Sequence, residues 1–405
     1  MEWMSQGINA PQGFYSAASH CGIKRKRKDM TMIMSDTPCT YAGVFTKNIV
    51  KAAPVIWNQQ RLEAKDKIKG IIVNSGNANA CTGTKGYSDC VNMAELYAEE
   101  LGLSKEEILV SSTGVIGVNL PMDKISKGIK EVTKLRSDSV EAGIAAAEGI
   151  MTTDTFTKIK SVKIMIDHKE VILSGMSKGS GMIHPNMGTM LSFITTDVSI
   201  EADLLNKLLK EVINDTYNMI SVDGDTSTND MVLVLANGKS GASISEDSKD
   251  YAEFKKAFYI LNEELAKLIV RDGEGATKFI EVEVTKMSSK IEARKMVHAI
   301  ITSNLVKTAF FGEDANWGRI LCALGYSGAN FDPNKVNVDY ISDSGKIRLL
   351  ESGQPVLFDE EFALEILKET DIKVLVTCSQ GSESAKGWGC DLSYDYVKIN
   401  GEYRT

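Results

Sequence analysis

The chain has 405 residues, a formal net charge of −8, 43% apolar and 25% charged residues. That length exceeds one ordinary core and asks for two or three domains or one large multilayer domain. The negative balance argues against a nucleic-acid partner, which needs concentrated Lys and Arg for phosphates. No run of about 18 apolar residues exists to form a membrane-crossing helix. The seven cysteines are odd in number and form no C-x-x-C pair. They read as reduced thiols of a cytoplasmic protein, in keeping with an N-terminus that lacks a signal peptide's apolar core.

In chain order, Lys24-Arg25-Lys26-Arg27-Lys28 is read as a solvated turn before a strand at 30–34, in preference to an anion-binding or targeting patch. Residues 71–73 read as a short buried strand entering the small polar loop 74–79. Ser88 is expected to cap a helix whose apolar face is Val91, Ala94, Leu96, Tyr97 and Leu101, with Gly102 as its stop. A strand at 108–110 opens into Ser111-Ser112-Thr113-Gly114-Val115-Ile116-Gly117. Pro121 suits the first turn of a helix reaching about Leu135.

Residues 142–151 read as an alanine-rich helix that stops at Thr152-Thr153-Asp154. A hairpin follows, with strands at 161–166 and 170–174 around an Asp-His turn. Segment 178–197 begins as a glycine-rich turn and ends as an alternating strand. Leu204, Leu205, Leu208, Leu209, Val212 and Ile213 keep helical spacing. A strand at 231–235 has Asn237-Gly238 as its turn. A helix through Phe254 to Ile269 ends near Gly273, a strand occupies 279–284, and another helix runs from about Ser289 past Ile301. No Pro/Gly/Ser-rich linker breaks the chain, so one large α/β body is expected.

The glycine-rich loops do not carry phosphate fingerprints: no G-x-x-x-x-G-K-[ST] or G-x-G-x-x-G is present in context. The Asp223–Asp230 stretch lacks the Gly and Glu of a calcium loop and reads as a polar loop near the site. The four histidines, His20, His168, His184 and His298, have no metal-ligand spacing, so no metal is expected. His184 lies nearest in sequence to Thr189, and reads either as a catalytic partner or as part of the turn it occupies.

Within 178–197, Thr189 carries unusual potential. If the Gly188–Thr189 bond is cut, Thr189 holds a free α-amine beside its own hydroxyl, so nucleophile and general base share one residue. Thr113-Gly114, at a strand end, can aim a hydroxyl and backbone N–H groups at the oxyanion of an acyl-transfer intermediate.

Several segments together resemble the ornithine acetyltransferases, the glutamate N-acetyltransferases of arginine biosynthesis. The resemblance covers nearly the whole chain. It rests on Gly7–Phe14, Gly43–Asn48, Lys51–Val55, Asn74–Gly83, Ser112–Gly117, Lys178–Asp197, Arg271–Lys278, Leu305–Ala309, Phe311–Arg319 and Val397–Thr405. Lys-Gly-Ser-Gly-Met-Ile with Pro-Asn-Met-x-Thr-Met-Leu is the most specific combination.

The resemblance implies a precursor that cleaves itself between Gly188 and Thr189, into pieces 1–188 and 189–405 forming one intertwined body. Gly188 stands where alanine is commonest. Thr189 is then the nucleophile, and Thr113 and Gly114 form the oxyanion site. Lys178, Glu274, Asn400, Thr405, Thr189 and one threonine of the Thr152-Thr153 pair, Thr152 in preference, contact substrate. The implied activity moves acetyl from N-acetylornithine to glutamate by a ping-pong route. No cofactor is implied, though acetyl-coenzyme A is a further donor for some members. The implied fold is an α/β multilayer sandwich of two central sheets flanked by helices, resembling N-terminal-nucleophile hydrolases, and members assemble as α2β2. An aminopeptidase or amidase, using the same threonine with water as acceptor, is the competing expectation.

Overall fold

Two mixed sheets carry the fold in the computed structural model, which describes residues 1–184 and 190–402. In the first, the order is Glu2–Met4, Lys158–Ile166, Lys169–Lys178, Leu191–Thr196, Met231–Ala236, Met30–Phe45, Ile68–Asn77, Ile108–Val115, and Phe14–Ser19 joins the first half of Met30–Phe45. Leu191–Thr196 pairs parallel with Met231–Ala236, as Ile68–Asn77 does with Ile108–Val115, and the other pairings are antiparallel. The expected hairpin is present and longer than read. Asp167 (φ 48°) and His168 (φ 60°) form its two-residue turn, the left-handed pair that matches strand twist.

The strand after Thr189 was expected to alternate. In the structure all six residues of Leu191–Thr196 are buried, as are all six of Met231–Ala236. These strands lie mid-sheet with helices on both faces, so neither face meets water. Val140–Ile150 supplies Ala146, Ala147 and Ile150 beneath Phe193 and Leu233. On the other face, Ala202–Ile213 and Tyr251–Arg271 bury Leu205, Leu208, Leu261 and Leu265 with Ile194 and Val234.

Helix ends follow local chemistry. Ser139 Oγ accepts from Ala142 N, and Ser289 Oγ from Glu292 N, each satisfying an orphan donor of the first turn. Gly102 closes Gly83–Leu101 in the left-handed conformation, φ 67°. That helix starts at Gly83, five residues before the expected Ser88 cap. Asn79 holds the extra turn: its Nδ2 donates to Gly86 O (2.8 Å), and its Oδ1 accepts from Thr82 Oγ1 (2.8 Å).

The second sheet runs Ile220–Ser221, Glu383–Cys390, Phe279–Met287, Asp371–Thr377, Asn337–Ser342, Gly345–Glu351, Gln354–Pro355. One apolar cluster passes from the first sheet through Tyr251–Arg271 to Val282, Val374 and Trp388 of the second. A shared core of this kind makes one body, as expected from the absence of linkers. Strands from either side of position 188 interleave: Leu191–Thr196 and Met231–Ala236 lie between Lys169–Lys178 and Met30–Phe45.

Candidate active site

Ile108–Val115 delivers Thr113 and Gly114 to one end of the first sheet. Gly114 adopts φ +133° opposite an irregularity at Gly76–Asn77. A Cβ there would stand 2.3 Å from Gly76 C and 2.5 Å from Asn77 N, so only glycine fits. Side-chain amides brace this end. Asn229 Nδ2 donates to Ser112 O (2.8 Å) and Ala78 O (2.6 Å), and Ser112 Oγ donates to Asn74 Oδ1 (2.6 Å). The backbone just before Thr113 is thereby fixed by partners from distant segments.

The end of Lys169–Lys178 brings Lys178 to the same place, 9% exposed. Burial pulls its ammonium pKa below the ordinary value. Asp154, Asp230 and Glu274 oppose that fall, and Lys158 adds to it. Asp154 Oδ1 accepts from Gly179 N and Lys158 Nζ, both at 2.7 Å, and its Oδ2 accepts from Thr152 N (2.8 Å). Lys158 Nζ also donates to Asp272 Oδ2 (2.5 Å). Burial opposes ionisation of Asp154, but the charges of Lys178 and Lys158 and these hydrogen bonds hold its carboxyl well below the usual range.

Glu274 N donates to Ser180 O (2.8 Å), and Asn400 Nδ2 donates to Glu274 Oε2 (2.8 Å). Gly181 lies so close to that carboxylate that a Cβ would come within 2.3 Å of it. Asp223 accepts from the N–H groups of Met182 (2.6 Å) and Ile183 (2.9 Å), fixing the turn after Lys178. Around the resulting cleft stand Thr113, Gly114, Thr152, Thr153, Lys178, Glu274 and Asn400. Ser227, Asn229 and Asp230 of the polar loop join them, with Met190 and Leu191. The space is about 720 Å³, counting the mouth open to solvent, enough for a small amino-acid derivative.

Six positions read from the sequence, Thr113, Gly114, Thr152, Lys178, Glu274 and Asn400, thus converge. Thr152 and Thr153 both line the cleft; Thr153 Oγ1 lies 2.7 Å from Ser180 Oγ. Gly188, Thr189 and Thr405 fall outside the described residues. His184 is not among the lining residues. Its Nδ1 lies 3.3 Å from Ser221 Oγ and its ring packs edge-on against His298, centroids 5.8 Å apart. Burial lowers both imidazole pKa values, that of His298 to about 4 with help from His184 and Arg294.

Sequence reading missed Asp154, Lys158 and Asp272, which are charged yet almost wholly enclosed. Lys158 and Asp154 are four apart, but such a spacing is commonplace; Asp272 is distant in sequence. The basic run also differs from a simple solvated turn. Arg25 and Lys26 are exposed, but Lys24 Nζ donates to Met151 O (2.5 Å), and Arg27 Nη1 to Thr152 O and Asp154 O (both 3.3 Å). Burial pushes the Lys24 ammonium down to about 8, Asp29 resisting and Lys178 and Arg27 assisting.

The chain is similar to known proteins over nearly its whole length. The ArgJ family profile matches residues 15–405. The "arginine biosynthesis bifunctional protein ArgJ" of Thermotoga neapolitana is 54% identical over 98% of this chain and 99% of its own. That of Caldanaerobacter subterraneus is 52% identical over the full length of both. A crystal structure of "ornithine acetyltransferase complexed with ornithine" from Mycobacterium tuberculosis is 38% identical, covering 47% of this chain and 98% of that one, at a TM-score of 0.44. On the profile match and the identities above 50% to the Thermotoga and Caldanaerobacter proteins, the chain belongs to the ArgJ family.

Proposed function

We propose that this chain is an acetyltransferase of arginine biosynthesis. It cuts itself between Gly188 and Thr189, then moves the acetyl group of N2-acetyl-L-ornithine to L-glutamate through an ester on Thr189. The observation that carries this reading is the convergence of Thr113, Gly114, Thr152, Lys178, Glu274 and Asn400 on one cleft, which Met190, the residue following Thr189, also lines. The names of the relatives support the pathway.

In the precursor, the Thr189 hydroxyl attacks the Gly188 carbonyl, and the acyl group passes from nitrogen to oxygen. Water opens the ester, leaving a carboxylate on Gly188 and an amine on Thr189. In the mature enzyme this α-amine takes the hydroxyl proton as Oγ attacks the acetyl carbonyl. Thr113 and Gly114 stabilise the oxyanion. The intermediate collapses, the proton passes to the leaving nitrogen, and ornithine departs. The α-amine of glutamate attacks the acetyl ester, returns a proton to Thr189 and leaves as N-acetylglutamate. Water must be excluded while the ester stands.

Charge fits this chemistry. N-acetylornithine carries a carboxylate and a side-chain ammonium, and the cleft offers Lys178 against Glu274 and Asp230. The interleaved strands would keep the 1–188 and 189–405 pieces together after cleavage. Their pairing as α2β2 in the cytoplasm rests on the family resemblance. Acetyl-coenzyme A, loading the same ester, would give the second activity that "bifunctional" in the relatives' names suggests.

The test supplies carbon-labelled acetyl on N-acetylornithine, with and without glutamate. Label is expected in N-acetylglutamate. Label released only as acetate, at a rate indifferent to glutamate, would make the protein a hydrolase instead.

A further inference from the structure

We infer that the buried Asp154–Lys158–Asp272 network is the positioning device of this site, holding the Thr152, Lys178 and Glu274 segments around the cleft so that Lys178 meets the substrate carboxylate. The inference rests on the proposed acetyl transfer for what Lys178 binds, but not for the network itself.

Each ion meets a different wall. Asp154 receives the N–H of Thr152 and that of Gly179, the residue after Lys178. Asp272 receives Thr155 N (3.0 Å) and Thr155 Oγ1, and lies two residues before Glu274. Lys158 joins the two carboxylates from a strand beneath them. Three cleft-lining segments, 152–155, 178–180 and 272–274, therefore hang on three buried side chains: Lys158 is fully enclosed, Asp154 is 1% exposed and Asp272 4%.

Stability alone does not require this arrangement. Buried ion pairs are commonly matched or bettered by apolar packing. What an apolar plug could not do is supply negative charge beside Lys178. The charges that act on Lys178 are those of Asp154, Lys158, Asp230 and Glu274, of which Asp230 and Glu274 line the cleft with it, and Lys24 feels the Lys178 charge in turn. Asp154 is the leading opponent of the burial that drives the Lys178 ammonium toward neutrality. Its carboxylate therefore acts on substrate through Lys178, without touching it.

The discriminating variant is Asp154→Asn, which keeps size and removes the charge, its one remaining oxygen able to accept either from Thr152 N or from Gly179 N and Lys158 Nζ. Lys178 should then lose its proton at lower pH. The KM for N-acetylornithine near neutral pH is expected to rise about tenfold, as for one weakened charge-assisted contact. Its alkaline rise should begin about one pH unit earlier, with kcat much less affected. A merely structural role would lower the melting temperature and leave the KM profile unmoved, and that result overturns the inference.

If Asp154→Asn does not fold, Asp272→Asn, one bond farther out, should shift the profile in the same direction by less; an unshifted profile overturns the inference equally. A second readout needs no turnover. Only a neutral amine reacts with an acylating reagent, so peptide mass spectrometry reports the pH at which Lys178 becomes labelled. That pH should fall in Asp154→Asn. Equal labelling pH overturns the inference whatever the enzyme's substrate, whereas a wild type that fails to acetylate glutamate counts against the proposed function alone.

Discussion

Gly114→Ala is expected to lose most of the transfer activity and a large part of the stability together. Alanine disfavours φ +133°, which costs about 1–3 kcal/mol. The new Cβ would also stand 2.3 Å from Gly76 C and 2.5 Å from Asn77 N, both backbone atoms. Nothing flexible can yield, so the ends of Ile68–Asn77 and Ile108–Val115 must part, adding about 1–3 kcal/mol of overpacking. Parting them moves the Thr113–Gly114 donors. Loss of one oxyanion donor costs about 10²–10³ in kcat. Urea melts and label transfer to glutamate read the two effects. Native stability with undiminished turnover would mean that this strand end neither needs glycine nor stabilises an oxyanion.

Lys158→Met should be strongly destabilising. Methionine fills similar volume, but Asp154 and Asp272 would be left buried without their cation. Removing one partner of a buried pair costs about 3–5 kcal/mol. The wild type carries a pH signature of Asp154, whose ionised form Lys178 and Lys158 both favour. The Asp154 carboxyl is held below its ordinary value of 3.8, so its contribution is fully present above that pH. It is lost as pH falls toward the folded-state value, because the unfolded chain then binds the proton more readily. In Lys158→Met the acid limb should begin at higher pH, since a buried carboxylate left with Lys178 as its one charge partner takes up a proton more easily. A denaturation midpoint within error of wild type from pH 3 to pH 7 would deny the network any energetic role.

Much of this architecture was legible in the chain because its signals are local. A helix begins at Ser289 as read, and Gly102 ends another. The Asp167-His168 turn announces its hairpin. The site residues came from a different source, motif resemblance, and the fold brings Thr113, Lys178, Glu274 and Asn400 to one cleft across hundreds of residues of sequence. What stayed hidden is non-local. The Ser88 cap was misplaced because Asn79, from the preceding loop, holds an extra helical turn. The wet face expected of Leu191–Thr196 is absent because helices cover both sides of the sheet. Lys158 looks like any strand lysine until Asp272 arrives beside it from 114 residues away.

The central claim is a self-made N-terminal threonine, and denaturing intact mass tests it most directly. Wild-type protein is predicted to give two pieces, of 188 and 217 residues (405 − 188 = 217), the second beginning at Thr189, while Thr189→Ala remains one chain. A folded wild type that stays whole, or a Thr189→Ala protein cut at the same bond, would contradict the account.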